Sequence, residues 1–448
     1  MRKAIAICLL SVLAAIAGTK NILAQSGTRE TFTDWCQNKA YLTPEARHTV
    51  EVLLEISETE ECDRAEDILA GKTELYLSKQ ELVNLQPLSS LIQLTTLHLN
   101  NNQIKNITPL ANLVNLEVLI LNNNEIEEIA PLASLTHLIL LTLNNNKVED
   151  LTHLNRLKNL ETLYLHENKV QDVTPLADIT SLTALLLNNN EIKTIASLAS
   201  LTDLLFLSLN NNQIEDLTPL ANLTNLTTLA LNNNQIKEIA PLAKLIKLTG
   251  LELNNNQISN IKLLSNLINL MQLELNNNQI RETISLASLT NLKALFLDNL
   301  AIEDVTFLAD LTNLTALTLN NNKIQDITPL MNLTELKRLE LDNNNIEEIE
   351  ALKNLTFMEI LSLNNNQIED VTSLENVLII RLYLDNNKIE DVTPLAGRTL
   401  VEELFLNNNK IKDITPLSRL NNLRILGLSG NSLRDRTCPV QPARICHF

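Results

Sequence analysis

Between Thr73 and Asn431 the apolar positions of this chain recur with a fixed period. Leu94, Leu97 and Leu99 lead to Asn102; 22 residues further on, Leu116, Leu119 and Leu121 lead to Asn124. The asparagine position falls again at 146, 168, 190, 212, 234, 256 and 278, at 322, 344 and 366, and at 387, 409 and 431. With the degenerate Gln80 and Leu300 this makes about 17 units. L-x-L is the period-2 pattern of a short strand with one buried face. The asparagine turns the chain off the strand, and its amide can serve backbone groups that the turn leaves unpaired. The return half, as in Ile104, Ile107, Leu110 and Leu113, has three-residue spacing, which predicts 3₁₀ or irregular turns rather than long helix. Proline at 109, 131, 175, 219, 241, 329, 394 and 416 occupies one equivalent place there and also opposes continuous helix. One unit cannot bury its own apolar edge, so stability must come from stacking neighbours.

Two departures stand out. Leu300 takes the asparagine place, so a backbone group loses its usual partner, at about 1–3 kcal/mol unless water or a shifted turn compensates. The unit ending at Asn387 is one residue short, between Val377 and Ile379, and Arg398 then holds a normally apolar place. Both are expected to perturb the array locally.

The run Leu99-Asn-Asn-Asn-Gln-Ile-Lys-Asn-Ile-Thr-Pro-Leu-Ala-Asn-Leu113 resembles the 22-residue repeats of internalin-type leucine-rich-repeat proteins. The resemblance implies an α/β repeat solenoid: a curved right-handed arc with a concave parallel β-sheet and convex 3₁₀ or irregular turns. It also implies protein binding. It covers the repeats alone; the residues after Asn431 carry neither an immunoglobulin-like domain nor a wall-sorting motif, so host-cell adhesion does not carry over.

The flanks differ from the repeats. Arg2 and Lys3 precede an apolar run from Ala4 to Gly18, the pattern of a secretory signal. Residues 1–24 are read as signal peptide, 25–71 as a small helical N-terminal cap, 72–431 as the repeats and 432–448 as a C-terminal cap. Thr43-Pro44-Glu45 predicts an N-cap, first position and acidic first turn of a helix reaching about Ile56, and a second short helix is expected after Cys62. Phe32 and Trp35 are expected to plug the first repeat. The cysteines outside the signal segment, Cys36, Cys62, Cys438 and Cys446, sit two at each end of the repeats. In an oxidising compartment they read as disulfides Cys36–Cys62 and Cys438–Cys446, the alternative being four unpaired thiols.

Composition narrows function by exclusion. A net charge of −18 disfavours nucleic acid and anionic lipid. The six histidines lack metal-ligand spacing, and no phosphate loop, G-x-S-x-G or CxxC occurs. No enzyme, cofactor, metal or transmembrane anchor is expected, and carboxylates such as Glu127 and Asp370 read as a solvated turn.

The positions free to vary are the outward ones beside each strand's central leucine. They include Val118, Ile120, Leu140, Tyr164, Leu186 and Phe206, then Phe296, and toward the C-terminal end Arg338, Arg381, Tyr383 and Phe405. Contiguous exposed apolar side chains mark interaction surfaces, and Tyr, Phe and Arg are common anchors. The resulting expectation is a monomeric, extracytoplasmic protein that binds a cell-surface or envelope protein on its concave face. A structural or glycan-binding envelope protein is the alternative.

Overall fold

The computed structural model describes residues 31–448, so the signal-segment reading lies outside the described residues. The chain divides into two compact units, Met1–Leu141 and Thr142–Phe448.

The first unit opens with helices. α1 spans Phe32–Gln37 and is closed by a capping box in which Thr31 and Asp34 exchange side-chain and backbone bonds. α2 runs Pro44–Ile56 behind the Thr43 N-cap, with proline in its first turn. It buries Ala46, Val50, Val52, Leu53 and Leu54. α3 follows at Cys62–Ala70, and a disulfide joins Cys36 of α1 to Cys62. Phe32 is fully buried and Trp35 nearly so, and α1 packs on α3 and on the first 3₁₀ turn of the repeats, Gln86–Leu88. Two hydrogen bonds tie α2 to the first repeat: His48 Nε2 to the Gln80 carbonyl and Thr49 Oγ1 to the Asn84 carbonyl, each 2.6 Å. The strands Glu74–Tyr76, Thr96–His98 and Val118–Ile120 then pair in parallel and in register.

The second unit continues the same pattern. From Thr162–Tyr164 onward, strands of mostly three residues pair in parallel at one-repeat offsets, alternating with short 3₁₀ turns that bear the prolines. The leucines and isoleucines of the repeat are almost without exposure. At about 1.5–3 kcal/mol per buried aliphatic side chain, this seam is the main stabilising term.

The triplet Asn-Asn-Asn that ends most strands divides three tasks. In the unit containing Asn212, the third asparagine is the buried rung expected from the sequence. Its Nδ2 donates to the carbonyls of Leu187 (2.9 Å) and Leu209 (3.1 Å), and its Oδ1 accepts the N–H of Ile192 (3.1 Å). The second, Asn211, has φ 57°, the left-handed region that asparagine tolerates better than most residues. The first, Asn210, forms a second ladder near the sheet face, its Oδ1 accepting the Asn232 N–H at 2.6 Å. That ladder continues through Asn232, Asn254 and Asn276 to Asp298, and from Asp298 to the Asn320 N–H.

The acidic turn after the rung also has a local duty. Asp216 Oδ1 accepts the Thr218 N–H at 2.8 Å, and Asp150, Asp326 and Asp370 cap their 3₁₀ turns in the same way. These bonds from threonine hold the four carboxyls below their ordinary range. They are structural caps rather than merely solvated charges.

Both departures from the repeat leave a visible trace. Around the missing residue the two strands lengthen: Phe357–Ser362 and Leu378–Tyr383 each have six residues and pair from Phe357↔Leu378 onward. Arg398 stands where most other units have a leucine, and its guanidinium donates to the Val377 carbonyl at 2.8 Å. At residue 300 the turn is shifted. Leu300 N–H and Ile302 N–H both bond Asn322 Oδ1, and Ala301 joins Asn299 at positive φ.

At the C-terminal end, Cys446–His447 adds a last parallel strand to Ile425–Gly427, and the Cys438–Cys446 disulfide ties it down. Val440 and Ile445 are buried there.

Candidate functional site

Each strand of the form x-Leu-x sends two side chains outward, one before and one after its buried leucine. Across paired strands these form two parallel rows. The in-register pairing fixes which residues are neighbours, because a slip of one would exchange the faces.

In the first unit one row runs Tyr76, His98, Ile120, and the other Thr96, Val118. Val118 and Ile120 are partly exposed, as is Leu140 at the start of the next strand. The sequence reading missed Tyr76 and His98. Tyr76 is 59% exposed, and its ring lies 4.7 Å from the His98 imidazole, centre to centre. The signal was present, since Leu75 and Leu77 flank Tyr76 as in every other strand, but Gln80 obscured the unit. The Tyr76 hydroxyl donates to Glu74 at 2.7 Å, a bond that raises its pKa.

In the second unit the outward rows have three chemical sectors. In the first, Tyr164 and Leu186 are direct neighbours, followed by Ser208 and Ala230. Phe206 belongs to the other row, between Ala184 and Thr228. Flanked by these small side chains, Phe206 is 52% exposed. The three residues thus form a diagonal patch rather than a single-file stripe.

The second sector is acidic. Glu252 and Glu274 are neighbours, and Phe296 follows between Glu274 and Thr318. The first asparagines of the triplets hold carboxylates on these rows, with Asn232 Nδ2 donating to Glu252 at 2.7 Å and Asn320 Nδ2 to Glu340 at 3.0 Å. Burial, and then the like charge of Glu274, push the Glu252 carboxyl above its ordinary range. Burial raises Asp298 as well, against the hydrogen bonds it accepts.

The third sector combines arginine with aromatics. Arg338 pairs with Glu340 on its own strand at 2.6 Å, and Arg381 lies 3.6 Å from Glu403 on the next. Tyr383 and Phe405 stack with ring centres 5.3 Å apart and planes 19° from parallel. The Tyr383 hydroxyl donates to Glu403 at 2.6 Å, and burial together with that carboxylate pushes its pKa up to about 12. Both arginines predicted as anchors are therefore held by carboxylates and present oriented guanidinium groups.

The apolar and charged side chains here have no place in the core and stand on a rigid backbone. Such a face can recognise a surface laid across several strands. Among the described residues, no group of three or more His, Cys, Asp or Glu is placed to hold a metal ion, and no helix is long and apolar enough to cross a membrane.

Comparison with known proteins agrees with this geometry. A model described as leucine-rich repeats (two copies) matches six overlapping stretches between residues 114 and 266 and two more between 312 and 376. The chain is a leucine-rich-repeat protein. Its repeats resemble those of internalins. A leucine-rich-repeat protein of Leptospira interrogans is 25% identical, with a TM-score of 0.66 over 82% of this chain and 92% of that one. The functional domain of InlJ from Listeria monocytogenes, which includes a cysteine ladder, is 21% identical, with a TM-score of 0.64 over 89% and 80%. The ectodomain of the Arabidopsis thaliana receptor kinase GASSHO1/SCHENGEN3, solved in complex with CASPARIAN STRIP INTEGRITY FACTOR 2, is 24% identical. Its TM-score is 0.61, over 78% of this chain and 48% of that one. A search of curated proteins found no match. The leucine-rich-repeat fold is typical of protein-interaction domains and is generally a binding scaffold rather than a catalyst.

Proposed function

We propose that this leucine-rich-repeat protein is exported and binds another protein, a cell-surface or envelope component, with the outward rows of its strands. Export is supported by the disulfides at both ends of the repeats, which persist in oxidising compartments. The observation that carries the binding reading is the diagonal patch of Tyr164, Leu186 and Phe206, accessible side chains with no duty in the core. Aromatic residues on a preformed sheet lose little conformational freedom on binding, which suits them as anchors. Val118, Ile120 and Leu140 in the first unit, and Phe296, Arg338, Arg381, Tyr383 and Phe405 in the second, are further contact candidates. The Arabidopsis ectodomain, which shares only the fold, was solved with a bound factor.

The test is capture from the native envelope or medium fraction by the purified chain. Replacing both Tyr164 and Phe206 with Ser is expected to abolish recovery of the captured protein while circular dichroism and melting stay unchanged. Unchanged recovery would remove this patch from the site.

One observation favours a second reading. The Tyr383–Phe405 stack lies beside Asp385 and Asn407, where Nδ2 of Asn407 bonds both Asp385 oxygens at 3.0 Å, a combination of aromatic face and polar groups suited to a sugar ring. Glycan binding that survives the Tyr164 and Phe206 changes and is lost in Tyr383→Ala would favour it.

A further inference from the structure

On the turn side of the second unit, away from the strands, several departures from the repeat meet at one place. Leu300 stands for the rung asparagine, Phe307 for the proline of the 3₁₀ turn, and Thr283 for an isoleucine, leucine or valine buried in most other units. Ile284, at a position held elsewhere mainly by threonine or alanine, is 66% exposed. These residues line a cavity of about 460 Å³. A neighbouring one of about 690 Å³ shares Arg281, Glu282 and Ile284 with it. Each lies within the size range of ligand-binding clefts.

The backbone at this place is the decisive feature. In the units on either side, the isoleucine two residues after the rung is held from both ends. Ile258 N–H donates to Asn278 Oδ1 (3.0 Å), and its carbonyl accepts Gln279 N–H (2.8 Å). Ile302 has the same two bonds, with Asn322 and Lys323. Ile280 would bond residue 300 and the N–H of residue 301 in the same way. Leucine offers no acceptor, and the shifted turn turns Leu300 N–H to Asn322. Among the described residues neither the N–H nor the C=O of Ile280 has a hydrogen-bond partner, and Ile280 lines the cavity. Unmet main-chain groups cost free energy unless something pairs with them.

We propose that this notch is a second binding site, for an extended polypeptide segment that pairs its main chain with Ile280 and seats one apolar side chain against Ile284 and Phe307. A donor and an acceptor of a single residue, side by side, match one residue of an extended strand, as in other recognition by strand addition. The apolar lining supplies a side-chain pocket next to that pair. Nothing in this site involves the outward strand rows, so it stands or falls apart from the function proposed above.

The probe is a display library of random linear heptapeptides selected on the full chain. The expected result is a family of peptides with a shared apolar residue. Their affinity should fall at least tenfold in Leu300→Asn, which restores the acceptor for Ile280 N–H and, as a return to the repeat, leaves folding intact. N-methylation of the amide next to the shared residue should also cost at least tenfold, whereas the Tyr164→Ser, Phe206→Ser variant should bind normally. No enrichment, binding that is indifferent to Leu300→Asn or to N-methylation, or loss of binding in the strand-face variant would each overturn the proposal.

Discussion

Two repeats lack the rung asparagine, and they differ in what stands before them. Gln80 belongs to the first repeat and Leu300 lies deep within the array, yet their turns are nearly the same. Gln80 N–H and Leu82 N–H share Asn102 Oδ1 at 3.0 Å each, as Leu300 and Ile302 share Asn322. Each turn carries two residues at positive φ, Lys79 and Glu81 in one, Asn299 and Ala301 in the other. Before Gln80 there is no repeat whose isoleucine needs holding; α2 lies there instead and bonds the Gln80 carbonyl through His48. Before Leu300 there is such a repeat, and Ile280 is left unpaired. The rung asparagine therefore serves the preceding unit as well as its own. Its absence is harmless at the cap and exposes a backbone pair in the middle.

The largest effect should come from removing a regular rung. Asn212→Ala deletes one acceptor and two donors that are buried on both sides, and should destabilise the chain by about 2–4 kcal/mol in denaturant unfolding. A loss under 0.5 kcal/mol would break the comparison, because the rung would then hold nothing. Leu300→Asn should act in the opposite sense. Satisfying Ile280 outweighs the transfer free energy of one leucine and gives a gain of about 1 kcal/mol. Smallest of all, Gln80→Asn should change stability by less than about 0.5 kcal/mol, since no preceding isoleucine awaits its amide. Equal gains at 80 and 300 would show that the position relative to the cap is irrelevant.

Much of this was legible in the sequence, and the reasons for the rest are specific. Periodicity gave the strands, the 3₁₀ turns and the third asparagine because each recurs at the same place in nearly every unit. The Thr43-Pro44 signal located α2, and the placement of four cysteines at the ends paired them correctly. The first asparagine of the triplet was not legible, because its acceptor role exists only when the next strand lies alongside. Asp216 and its equivalents could have been found, since Asp-x-Thr just before a 3₁₀ turn is a local capping pattern. The missing residue near Leu378 suggested a local disturbance; that it lengthens two strands follows from pairing with Phe357, which no single unit reveals. Alternation alone selects the candidate contact residues without assigning them to rows. Counting from each central leucine does assign them: Phe206 precedes Leu207, whereas Tyr164 and Leu186 follow Leu163 and Leu185.

Hydrogen exchange of single backbone amides tests the comparison most directly. In the native protein the Ile280 amide should exchange at least about tenfold faster than those of Ile258 and Ile302, and in Leu300→Asn it should slow to match them. Equal protection of all three amides in the native chain would contradict the account.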